Sequence, residues 1–493
     1  MNFKKPEECG ISSANIEKFI KSIEDRHIFT HNVIIAKGDN IIFEKYWAPF
    51  DENFLHRQYS ITKSIVALAV GFAEQDGLVE LDAPISRYFP EECKNVKSEL
   101  VANQTVREML SMRTALLPQG WFSHDIKGDR VNFYFENTAV DNKRPSGTIY
   151  HYDTSASFVL GAMVERVSGK EFMEYLREKC FDKIGVSKEA YCLKCPGGHA
   201  WGDSGMLCTA RDLLKIAKFT MNYGKWDGEQ LLNEDYLRVA TSKVTDDNKS
   251  FVYEYNTFGY GYYIWPTYDG AFFFNGMGGQ VALCVPNKDL ILIYNGDNQG
   301  ANNGNAKKNV VDAFFDLIVR AEHDTSDAEA KQKSLEEYTK DLKLGVIVGD
   351  AYAPFAEKIN GKTFVLDQNN MKIKWIKFTF AEGCSTFEYE NANGVKKINF
   401  GMCENVFGKF PEEGYSDLVG GEYAPGNFYK CAACAAWIEP QKLGVCVQVI
   451  DKYFGRLSMQ FGFKDENTVG IFMIPAAENF LSNYSGFAAG YAE

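Results

Sequence analysis

The stretch SITKSIVALAVGFAEQDG, residues 60–77, is apolar on nearly every helical face from Ile61 to Ala73. A helix of that kind must be buried on nearly every side. It opens with Ser60-Ile61-Thr62-Lys63, the one SxxK string in the chain. At an offset of three, Lys63 shares a helical face with Ser60. A serine hydroxyl is a weak nucleophile until something takes its proton. A poorly hydrated lysine, beside a serine at the positive end of a helix, can do so. The plain alternative is an N-cap serine whose neighbouring lysine snorkels to solvent. The string alone does not decide between them.

Around this helix, residues 1–323 alternate two patterns. Helical periodicity predicts helices at Ser13–Asp25, Thr105–Met112, Ala156–Val167, Lys170–Cys180, Ala210–Tyr223 and Lys307–Glu322. Strands are predicted at His31–Ala36, Asn40–Trp47, Gly261–Trp265, Ala271–Phe274, Gln280–Val285 and Leu290–Tyr294. Residues 324–340 are charged and poor in large apolar side chains, so they read as a linker. Residues 341–493 carry alternating, aromatic-rich runs such as Lys362–Leu366, Ile373–Phe380, Cys446–Ile450 and Thr468–Ile474. These predict a separate, mostly antiparallel β domain.

Composition narrows the function. The chain has 493 residues, 45% hydrophobic and 24% charged, enough for two or three globular domains. Its 53 basic against 66 acidic residues give a net charge of −13 and no footprint for nucleic acid or an anionic membrane surface. The longest strongly apolar stretch, Ile65–Ala73, is too short to span a bilayer. No membrane partner is expected. The beginning of the chain shows no apolar signal region, and the twelve cysteines read as reduced thiols, so a cytoplasmic location is expected. Two pairs have CxxC spacing, Cys192/Cys195 and Cys431/Cys434, without the histidines a zinc site would add. No HExxH, GxxxxGK[ST], EF-hand or GxSxG string occurs, so no metal and no cofactor is expected. Gly202-Asp203-Ser204-Gly205 imitates a trypsin-like signature but precedes a helical run; Glu229–Asn233 matches an ExxLN string far from Ser60. Both are set aside.

Two further elements could complete the chemistry of Ser60. Tyr150-His151-Tyr152-Asp153-Thr154 precedes the helical run 155–170 and places the hydroxyls of Tyr152 and Thr154 two residues apart. Tyr152 could pass a proton to a leaving group, or be an ordinary aromatic turn residue. Asn275-Gly276-Met277-Gly278-Gly279-Gln280 leads into an apolar strand. Its glycines allow a backbone edge to approach a ligand, and an N–H there with that of Ser60 would form an oxyanion hole. A plain glycine-rich hairpin is the competing interpretation.

Taken together and in this order, the three elements resemble the penicillin-recognising serine hydrolases: class C β-lactamases, D-alanyl-D-alanine peptidases and related esterases and amidases. The resemblance covers most of residues 5–323, through Gly10-Ile11-Ser12 with Glu44, HRQYSITKSI, TVREMLSMRTAL, SGTIYHYDTSASFVLGAMVERVSGK, GDSGMLCTARDLLKIAKF and GGQVALCVPNKDLILIYN. GKTFVLDQNNMKIKWIKFTF and GMCENVFGKF resemble the lipocalin-like domain appended to some members. The fold implied is α/β (α+β): an antiparallel sheet flanked by helices with a helical subdomain over 1–323, then a lipocalin-like β domain over 341–493. The resemblance implies Ser60 as acylated nucleophile, Lys63 as base and Tyr152 as second proton carrier. It implies the N–H groups of Ser60 and Gln280 as the oxyanion hole, with Thr154, Met277, Gly278 and Gly279 lining the substrate.

Two departures shift the expectation. Met277, placed where the family's KTG or HxG motif begins, cannot hold a carboxylate, and Thr154 has no side-chain amide. A small ester or amide is therefore expected as substrate. A β-lactamase or D-amino-acid peptidase, or a non-catalytic binding protein, is the alternative. The loop from Gln119 to Asn142, with Trp121, Phe122, Tyr134 and Phe135, is expected to supply the acyl-group wall; whether it lids the pocket stays open. The substrate's identity and the oligomeric state stay open.

Overall fold

Gln280–Val285 and Leu290–Gly296 are strands buried at every position, as central strands covered on both faces must be. The computed structural model to which they belong describes the chain apart from residues 1, 97, 116–119, 123–127, 137–143, 246–257, 301–302, 417, 419–422 and 478. These two strands lie inside a seven-stranded sheet. Its spatial order is Asn2–Phe3, Asn40–Tyr46, Thr30–Lys37, Leu290–Gly296, Gln280–Val285, Phe272–Gly276, Trp265–Pro266. Every described pairing in it is antiparallel except that of the short first strand. The helix Ala210–Met221 packs on the two central strands, and Ile61–Gln75 packs against Phe272–Gly276 and the helix Thr154–Ser168. Its residues Ile61 to Ala73 are all buried, as their uniform hydrophobicity predicted.

The chain divides into two compact units: Met1–Asn298 with Asn302–Lys343 make up nearly all of the first, and Leu344–Ser416 with Tyr423–Glu493 nearly all of the second. Two stretches differ from the sequence reading. Residues 324–340 were expected as a linker, yet Ala328–Thr339 is a helix of the first unit packed on Ser13–Glu24. Leu335 is buried there, Tyr338 lies under the Lys21 ammonium at 4.8 Å, and Gln332 donates to Glu7. Alanine, glutamate, lysine and glutamine are strong helix formers, and an apolar pair three apart is enough to seat one face. Within Gly261–Trp265 only Trp265 joins the sheet, because the Gly261 N–H donates to the Ile264 carbonyl and Tyr263 has φ of +56°. A turn replaces the strand.

The second unit is a ten-stranded sheet, nine of whose strands form a barrel-like ring. Eight antiparallel contacts run from Gly394–Met402 round to Tyr423–Glu439, and a short parallel pairing of Gly401–Met402 with Cys434–Ala435 closes the ring. Strands such as Ser385–Asn391 alternate buried and half-buried residues, the pattern expected of a sheet with one face inward. Cys431 and Cys434 lie on the strand Tyr423–Glu439, where an offset of three turns the side chains to opposite faces. Cys434 sits opposite Cys446 instead.

Candidate active site

Everything that presents Ser60 is built in the four residues before it. His56–Arg57 pairs with Met206–Cys208, the Gln58 N–H donates to the Met206 carbonyl, and the Met206 N–H donates to Thr62 Oγ1. Tyr59 then turns the chain in the left-handed region, φ +47°, with its ring against the Arg57 guanidinium. A non-glycine residue there costs about 1–3 kcal/mol and persists only where its surroundings hold it. The result is a serine at the first turn of a buried helix, where the backbone dipole is positive.

The geometry answers the question the string left open. Ser60 makes no cap with its side chain. Its Oγ instead accepts from Lys63 Nζ at 2.9 Å, and Lys63 also donates to the Asp203 carbonyl at 2.7 Å. Lys63 is 1% exposed, so it does not snorkel. Its Nζ lies 5.2 Å from the ring centroid of Tyr152. That ring stacks on Trp265, and the turn carrying it is held by the His151 N–H on the Met112 carbonyl. Ser60, Lys63 and Tyr152 therefore come together. Thr154 begins the helix capped by Asp153, two residues from Tyr152.

The glycine turn arrives from the sheet. Gly278 and Gly279 have φ of +82° and +107°, which other residues rarely adopt. A Cβ on Gly276 would meet the Gln58 carbonyl oxygen at 2.5 Å, so this edge runs directly against the chain leading into Ser60. The register shifts the expected oxyanion donor. Gln280 is wholly buried and pairs with Gly276, while its side chain donates to the Met277 and Gly296 carbonyls and accepts from Asn295. Its side chain tethers the turn. Among the described residues, the N–H groups of Ser60 and Met277 have no hydrogen-bond acceptor. Met277 is 38% exposed.

Trp121 is not a cleft wall. It is 5% exposed, stacked on Trp201, and its indole N–H donates to Asp203 Oδ2 at 2.9 Å. An indole finds a partner when buried, and here that partner faces inward. Tyr134 and Phe135 are core residues too, Tyr134 accepting from Gln104. Phe122 is exposed. Half of the loop 119–142, at 119, 123–127 and 137–142, lies outside the described residues.

Sequence reasoning passed over four contributors. Asp203, set aside with its Gly-Asp-Ser-Gly string, holds Lys63 through its backbone and receives Trp121 and Ser204 on its carboxylate. Burial pushes that carboxyl above the usual range, with Lys63 nearby pulling the other way. Arg57 donates to the Ser204 carbonyl. Asn295 links Gln58 to Gln280. Lys307 donates to Asn275 Oδ1 at 2.8 Å and to the Gly276 carbonyl at 3.1 Å, and burial lowers its ammonium to about 8.

Below the nucleophile's approach lies a buried histidine pair. His56 Nδ1 faces the Arg57 carbonyl at 2.9 Å and so carries a proton; its neutral Nε2 then accepts from His31 Nδ1 at 2.8 Å. Burial pushes His56 down to about 3 and His31 well below its ordinary value. Unfolded histidine titrates near 6.5, so below that pH the unfolded chain binds protons the folded pair refuses. The pair's stability is whole above about 6.5 and is lost as pH falls, with His56 alone costing about 2 kcal/mol by pH 5. Urea midpoints at pH 8 and 5 should show the drop, and His56→Gln should lose part of it. Equal slopes in both proteins would remove the pair as the cause.

The model of a family described as beta-lactamase matches residues 15–313. A 6-aminohexanoate-dimer hydrolase of Paenarthrobacter ureafaciens is 22% identical over 225 residues, 42% of this chain and 56% of that protein. The chain thus spans about half the length of that relative. Among solved structures, the octameric penicillin-binding protein homologue from Pyrococcus abyssi covers 97% of this chain and 99% of its own, at 14% identity and a TM-score of 0.49. D-amino acid amidase from Ochrobactrum anthropi SV3 covers 61% of this chain and 98% of its own, at 16% identity and a TM-score of 0.49. Among the described residues no helix is long and apolar enough to cross a membrane.

Proposed function

Because the chain belongs to the beta-lactamase family, a family of serine hydrolases, we propose that it cleaves a small ester or amide through an acyl-enzyme on Ser60. The observation that carries this reading is the uncapped Ser60 hydroxyl held at 2.9 Å by a buried lysine. Ser60 Oγ attacks the carbonyl carbon as its proton passes to Lys63 Nζ in its neutral form. The Asp203 carbonyl fixes that nitrogen. The tetrahedral oxyanion is received by the N–H groups of Ser60 and Met277, which have no other acceptor among the described residues. As the carbon–heteroatom bond breaks, the leaving alkoxide or amine takes a proton from the Tyr152 hydroxyl, which Lys63 restores. Water then repeats the cycle on the acyl-serine.

Met277 and Thr154 set the substrate class. An exposed thioether beside the oxyanion turn attracts no carboxylate, which favours uncharged esters and linear amides over β-lactams. A relative is named 6-aminohexanoate-dimer hydrolase, which supports an amide among the substrates. We place the enzyme in the cytoplasm, where its buried thiols stay reduced. The test is covalent. A fluorophosphonate probe should label the protein, with the adduct mapped to the peptide holding Ser60, and Ser60→Ala should abolish both labelling and ester turnover. Undiminished turnover in Ser60→Ala would end this reading.

A further inference from the structure

The turn that lends the Met277 N–H to the site has a cation behind it. The Gly276 carbonyl and the Met277 N–H belong to one peptide unit. Lys307 Nζ, on the helix Asn303–Phe314, donates to that carbonyl at 3.1 Å and to the side chain of Asn275 at 2.8 Å. Lys307 is 7% exposed, and a buried lysine is rare without a compensating role. Its two acceptors are neutral, so the positive charge is left to act on the peptide it touches. Burial brings the amine to about 8, which leaves it mostly charged at neutral pH.

A charged donor on a carbonyl makes a stronger bond than a neutral one. In a low-dielectric setting it also polarises the amide, so that the N–H at the other end becomes the better donor. The same bond fixes the peptide plane. Gly276 runs so close to Gln58 that a side chain there would meet its carbonyl oxygen.

We propose that Lys307 is a positioning residue of the oxyanion hole, holding and polarising the Gly276–Met277 peptide whose free N–H receives the developing charge. The proposal rests on the acyl-enzyme reading above and supplies what the strand itself lacks. Residues Phe272–Gly276 and Met277–Gly279 carry no cation; the charge comes from a helix behind them.

Two readouts test it. In protein labelled with ¹⁵N-methionine, the Met277 amide (assigned through Met277→Leu) should shift in Lys307→Leu and stay near its wild-type position in Lys307→Arg. This needs no turnover, so it is independent of the Ser60→Ala result. With an activated ester, Lys307→Leu should lower kcat about tenfold, less than the loss of a whole oxyanion donor, with KM within about twofold. Lys307→Arg should recover most of kcat. Should Lys307→Leu fold poorly, Lys307→Gln is read in the same way. An unmoved Met277 amide, or a shifted amide with wild-type kcat, would overturn the proposal while leaving the Ser60 reading intact. Wild-type turnover in Ser60→Ala would overturn both.

Discussion

Lys63→Met should lower kcat on an ester by roughly 10²–10⁴, the range for removing a positioned general base, while the fold survives. Methionine has nearly the length of lysine and suits a site that is 1% exposed. The loss should come from chemistry, because Lys63 is bonded to the nucleophile itself at 2.9 Å. The informative partner is Lys63→Arg. Arginine puts a fixed positive charge beside Ser60 and Tyr152 and does not give up its proton in proteins. If Lys63 works by accepting the serine proton, Lys63→Arg should be as slow as Lys63→Met. Thermal midpoints of both variants separate catalysis from folding. An arginine variant that retained most of kcat would show that the site needs a fixed cation, and the base assignment would fall.

The part of the site legible in the sequence is the part set by local geometry. Ser60 and Lys63 lie three residues apart on one helix, so their meeting follows from helical pitch alone. That Tyr152 reaches the same lysine depends on a turn held by Met112, and only the family resemblance pointed to it. The proposed oxyanion donor lies three residues before the one expected. In a run such as NGMGGQV the hydrophobic pattern cannot say where the hairpin closes, and the Gly276–Gln280 pairing moves the free N–H from Gln280 to Met277. Trp121, Tyr134 and Phe135 were read as a wall because aromatic residues in a loop look alike whether they face a ligand or a core. The decision rested with Asp203 and Gln104, which receive or meet them from far along the chain. The helix at Ala328–Thr339 was hidden by its charge. Its buried face needs little beyond Leu335, too weak a stripe to stand out by eye.

For Tyr152→Phe the size of the loss should depend on the leaving group. Tyr152 lies against Lys63 Nζ through its ring face, 5.2 Å from the centroid, and the ring is steadied by Trp265. Phenylalanine preserves both ring contacts and deletes only the hydroxyl, so packing is kept and the proton path is cut. A nitrophenolate departs without help. An alkyl amine cannot leave an acylated carbon until it is protonated. Turnover of a linear amide or alkyl ester should therefore fall by roughly 10²–10⁴, and that of a nitrophenyl ester by far less. The comparison also separates two roles for the phenol. A tyrosine that activated Ser60 would slow both substrates equally, since attack by the serine is common to them. A tyrosine that delivers the proton on departure slows only the one with the reluctant leaving group. Measured kcat/KM ratios between the two substrates, in wild type and in Tyr152→Phe, decide between them, and an unchanged ratio would remove Tyr152 as the acid.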